Sequence, residues 1–173
     1  MQEGMPRHAA GLFFCPQKAM MDKSSGSAAM SDIEFRESYE SQLFPAANFR
    51  HLDHVRLAWI YVRELGAEEA EQKMCTAIRR FAKANGADKK YHATITVAWV
   101  RMVAIALTES PGEGFAEFIS AHGWLASHQA LFQFYSMELI ESEEARAKFM
   151  EPDLAPIAFP KPKGAAEAAP LAD

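Results

Sequence analysis

The stretch YHATITVAWVRMVAIALT, residues 91–108, decides how the whole chain is read. It contains neither Gly nor Pro, and it is too long for an ordinary strand but the right length for a buried helix. The β-branched run from Thr94 to Val97 also fits a short strand with His92, Thr94 and Thr96 on one face. Length decides for the helix. On a helical wheel of about 100° per residue, His92, Ile95, Thr96, Trp99, Met102, Val103 and Ala106 then share one side, with Arg101 opposite.

Working outward from that segment, the same periodicity recurs. Residues 67–85 place Ala70, Met74, Ala77, Ile78 and Phe81 at i, i+3, i+4 spacing and stop at Gly86. Residues 50–65 show a second amphipathic pattern that stops at Gly66, a natural left-handed C-terminal residue. Ser31 and Glu34 have capping-box spacing and start a helix that reaches about Gln42. Beyond Pro111 and Gly112, a short helix over Phe115 to Ala121 and another over Ser127 to Tyr135 are expected. Ser142 caps a last charged turn from Glu143 to Phe149. The expected fold is an all-α, compact bundle of about five to six helices over residues 31–153. Residues 1–30 read as a flexible leader, whose first 29 residues a start at Met30 would omit, and the Pro- and Ala-rich residues 154–173 read as a disordered tail.

Composition narrows the function classes. With 18 Lys and Arg against 23 Asp and Glu, the net charge of −5 provides no basic field to gather phosphate backbones, so nucleic acid is not an expected partner. The longest apolar stretch, Ile95 to Leu107, is interrupted by Arg101 and falls short of the roughly 20 residues that span a bilayer, so no membrane span is expected. Cys15 and Cys75 are far apart and read as thiols of a reducing, cytoplasmic compartment. No Gly-rich phosphate loop, nucleophile elbow or dinucleotide fingerprint is present. A small-molecule ligand remains the expected partner, and a homo-oligomer is compatible with the sequence.

Chemistry concentrates in histidines. On the helix over residues 50–65, His51, Val55, Ala58, Val62 and Leu65 fall in one stripe with His54 at its edge, while Asp53, Arg56, Arg63 and Glu64 point away. His51, His54 and His92 therefore face the core near two helix starts, where the helix dipole lowers an imidazole pKa. Three readings follow. The three imidazoles could be ligands of one Fe, Zn or Mn ion, with an open position for water or substrate. They could be metal-free acid/base groups, with Arg56 fixing a carboxylate, Thr96 orienting a ring, and Trp59, Trp99 and Tyr61 walling the pocket. They could also be caps or satisfied polar groups in a non-catalytic binding or interaction module, with Arg56 paired to Asp53 or a neighbouring helix. The cluster Arg79, Arg80, Lys83, Lys89 and Lys90 could bind an anionic substrate or phosphate, but a solvated helix end is the more common explanation and it is read as surface.

Two motifs carry a resemblance. FRHLDHVRLAW, residues 49–59, and YHATIT, residues 91–96, together with RRFA at 79–82, Tyr135-Ser136, SEEAR at 142–146 and Pro152-Asp153, resemble a family of small uncharacterised bacterial helical proteins. Its pattern is F-x-H-x-x-H followed by Y-H-x-T-x-T, and the likeness covers about Ser31 to Asp153. The resemblance implies a helical fold and no particular activity. Where that pattern commonly has Glu, this chain has Ala93, which removes one candidate carboxylate ligand or base.

Overall fold

The computed structural model describes residues 27–157, and among them there are helices and turns but no strand. The α-helices are α1 (Asp32–Glu40), α2 (His51–Leu65), α3 (Ala67–Ala84), α4 (Ala93–Glu109), α5 (Phe115–Ala121), α6 (Met137–Glu141) and α7 (Glu143–Ala147), joined in part by 3-10 turns. The chain is all-α. Helices α2, α3 and α4 pack against one another as the central layer, α1 lies across α2 and α3, and α7 closes against α4.

Residues 93–109 form a helix because most of them are buried all round. Thr94, Thr96 to Val100, Met102 to Ala104 and Ala106 are all in the interior, whereas a half-exposed strand would show every second residue to solvent. The β-branched hydroxyls that favour a strand are satisfied locally. Thr96 Oγ1 donates back to the His92 carbonyl at 2.8 Å, and Thr94 Oγ1 donates to Lys148 O and accepts from Met150 N, both at 3.0 Å. The helix begins at its cap, His92, whose Nδ1 accepts from Ile95 N at 3.3 Å.

The two long amphipathic helices meet at one residue. Gly66, at φ 84°, ends α2 and precedes α3, a backbone setting that a side chain would strain. Ser31 caps α1 with the expected reciprocal bonds to Glu34. The segment expected as a helix over Ser127 to Tyr135 is a 3-10 stretch, His128–Gln133, and α6, capped by Ser136, is an additional turn and a half.

Both ends of the domain extend further than composition implies. Ser27–Ala29 form a 3-10 turn, and the Ser27 and Met30 carbonyls accept hydrogen bonds from Arg56. At the other end, the Leu154 and Ala155 amides donate to Phe134 O, and Ile157 is buried in the core. Residues 154–157 are thus fixed, although they had the composition of a tail. The expectations for residues 1–26 and 158–173 lie outside the described residues. No helix among the described residues is long and apolar enough to cross a membrane.

Candidate functional site

A cavity of about 350 Å³ opens between the starts of α2 and α4 and is floored by Met74 and Ile78 of α3. From the α2 side it is lined by Phe49, Arg50, His51 and His54. From the α4 side come Lys90, His92, Ile95, Thr96 and Trp99, and His128 closes it from the 3-10 stretch. The three histidines singled out from the sequence do converge, as do Thr96 and Trp99. A second cavity of about 370 Å³ adjoins it, with Phe49, His54, Ile78 and Lys90 common to both walls.

The three imidazoles are in different states. His92 is buried, and its Nε2 lies 2.8 Å from the Ile140 carbonyl. A carbonyl only accepts, so the proton sits on Nε2 and Nδ1 offers its lone pair to Ile95 N, leaving neither nitrogen unengaged. Burial lowers its pKa, opposed by the bond to Ile140 and assisted by the Arg146 charge. His51 donates Nε2–H to Leu125 O at 2.9 Å, which leaves Nδ1 as an unprotonated acceptor. Its ring meets the Trp99 indole edge-on, with centroids 4.5 Å apart. Burial again lowers its pKa, against the pull of the Leu125 carbonyl, and His128, whose ring centroid is 6.3 Å away, lowers it further.

His54 differs from both. Its ring lies 4.2 Å from that of Phe49 and makes no hydrogen bond with any described residue. Desolvation, followed by the proximity of His51, brings its pKa down to about 4. At neutral pH it is an uncharged imidazole on the wall shared by two cavities.

The expected metal site is not formed by this geometry. Among the described residues no group of three or more His, Cys, Asp or Glu side chains is disposed to hold a metal ion, and His92 has no lone pair left to give. The donor set does not fit a resident Fe, Zn or Mn ion.

Three other candidates are elsewhere. Arg56, expected to point away from the core, is buried on the opposite side of α2. Its guanidinium donates through Nε to Asp32 at 2.8 Å, to the Met30 carbonyl at 2.7 Å, and to the Ser27 carbonyl. Asp53, also expected outside, is buried beside it, accepting from Arg50 N at 2.6 Å and from Ser27 Oγ. Both are covered because residues 27–32 lie over that face. Trp59 packs on Phe115 and Phe118, and Tyr61 donates to Glu40 at 3.0 Å, so neither walls the cavity. Phe49, Arg50, Lys90 and His128 are lining residues that the helical wheels did not select. Lys90 stood in a basic run that looked like surface, and His128 is brought to His51 by a fold-back far along the chain.

No family model, curated protein or solved structure matches this chain.

Proposed function

We propose that the chain binds a small molecule in the cavity between α2 and α4, with His54 and His51 as its neutral nitrogen groups and without a bound metal. The observation that carries this reading is His54: a half-buried imidazole with no hydrogen bond to any described residue, on the wall shared by two cavities. A polar group on a cavity wall that the rest of the protein leaves unpartnered is available to water or to a ligand. His51 supports it with a tautomer fixed by Leu125, presenting Nδ1 as an acceptor. A base with a pKa near 4 is weak for stripping protons at neutral pH, so binding precedes any turnover, and an acidic group placed beside His54 would raise its basicity.

A binding module without turnover is a second reading, favoured by His92 and His51 each holding a backbone carbonyl. Both readings require an occupied pocket. A fragment screen by NMR on the full chain tests it: ligands are expected to move the Trp99 indole and His54 imidazole resonances together. A broad set of fragments at millimolar concentration that moves neither would overturn the proposal. If a ligand is found, comparing its chemical conversion by wild type and by His54→Phe separates the two readings.

A further inference from the structure

We infer that the two adjoining chambers take an organic anion with an apolar body, its charged group held between Arg50 and Lys90 and its body extending past His54. This rests on the pocket reading above and adds the ligand class.

The charge distribution is the first support. Acidic residues outnumber Lys and Arg across the chain, 23 to 18, yet no Asp or Glu lines either chamber. Arg50, Lys90 and His128 face the first chamber, and Lys90 faces both. The second support is pairing. Arg36, Arg56, Lys73, Arg101 and Lys148 all hold carboxylates. Arg50 and Lys90 have no ion pair among the described residues, which they share with Arg63, Arg79, Arg80, Lys83, Lys89 and Arg146; what sets these two apart is that they line the chambers with their charge uncompensated. Asp53, the nearest acid in sequence to Arg50, is turned away and engaged by the Arg50 amide and Ser27.

The walls supply the rest of the ligand's description. Trp99, Ile95 and Met74 are apolar surfaces of the first chamber, and Phe81, Ala82 and Ala47 of the second. Phe49 and His54 stand at the junction, so a body reaching from one chamber to the other passes an uncharged imidazole able to give or accept one hydrogen bond. A cation in this setting would meet Arg50 and Lys90 with no counter-charge. A neutral ligand would gain the apolar walls and forgo both side chains. Anions alone use all of the lining, and unpaired cations at the mouth of an apolar cavity attract them before contact.

The test uses one scaffold with three end groups: 4-phenylbutyrate, its neutral amide 4-phenylbutyramide, and the cation 4-phenylbutylamine, titrated calorimetrically into the full chain at pH 7.5. The carboxylate is expected to bind at least tenfold tighter than the amide. The double variant Arg50→Gln/Lys90→Gln should remove most of that difference while its thermal midpoint stays at the wild-type value, since both side chains are exposed. Ala47→Phe, which narrows the second chamber, should weaken 4-phenylbutyrate several-fold and leave benzoate unchanged. Equal binding of carboxylate and amide, or preference for the amine, overturns the anion inference and leaves the pocket reading standing. Binding of none of the three overturns both.

Discussion

Helix α2 has two polar faces, and they differ in one respect that separates scaffold from site. On the face covered by residues 27–32, Arg56 and Asp53 are buried and matched: the guanidinium has three acceptors, and the carboxylate receives an amide and a hydroxyl. On the face toward α4, His54 is desolvated and unmatched beside open volume. Burial already differs, since Arg56 and Asp53 are buried and His54 is half-buried. Hydrogen-bond satisfaction divides them, because a complete network fixes structure, while an incomplete one leaves a group free for something that is not part of the chain.

The comparison breaks most visibly at Arg56. Removing it by Arg56→Ala leaves the Ser27 and Met30 carbonyls without their donor and exposes Asp32 to water, and the lost packing and hydrogen bonds of a buried guanidinium are expected to cost about 3 kcal/mol in urea unfolding. A change below about 1 kcal/mol would show that residues 27–32 are not held as described.

On the other face the effect is read through pH. His54 has a folded-state pKa of about 4, below its ordinary 6.5, so between those values the unfolded chain binds a proton that the folded chain does not. Stability is therefore fully present above about pH 6.5 and falls as the pH drops toward 4, by on the order of 3 kcal/mol from this residue. His51 and His92, also lowered by burial, act in the same direction. His54→Phe should flatten this slope and cost little at pH 7.5. An unchanged slope in the variant would place the effect on other groups.

The smallest effect sharpens the contrast among the histidines themselves. His92→Ala removes an N-cap and leaves Ile140 O without its donor, an expected loss of about 2 kcal/mol. Asn at the same position, which can cap but does not reach as far, should recover roughly half of it. Recovery by Asn marks a structural histidine. A ligand to a metal would not be replaced in this way.

How much of this was legible in the sequence follows from which interactions are local. Capping spacing at Ser31, the stop at Gly66 and the α3 periodicity depend on residues a few positions apart, and each places its element within a residue or two. That His51, His54 and His92 face inward near two helix starts was also visible, because helical wheels show which way side chains face; that the two starts meet was only a condition of the reading. The roles of these histidines were not visible, since the partners that set them, Leu125 O and Ile140 O, are backbone atoms 74 and 48 residues away. Arg56 does pair with a neighbouring helix, through Asp32 of α1, but its burial was missed for the same reason. An arginine on the polar side of an amphipathic pattern reads as outward until something covers it, and the cover here is the short segment 27–32, whose one large apolar residue, Met30, is too little to show as a packing pattern in the sequence. Likewise residues 154–157 are held by the Phe134 carbonyl and by Asp153 on Ser136, contacts that composition does not record.

Asp53 joins two places that are otherwise separate. One carboxylate oxygen is held by Ser27, and the other holds the Arg50 amide, the residue just ahead of His51. The position of the first helix start therefore does not mark the edge of the cooperative unit. A chain shortened to begin at Met30 would keep every α-helix and still release one of Asp53's two anchors, along with an acceptor of Arg56. The expected result is a looser entrance to the cavity in a protein whose helical content is unchanged.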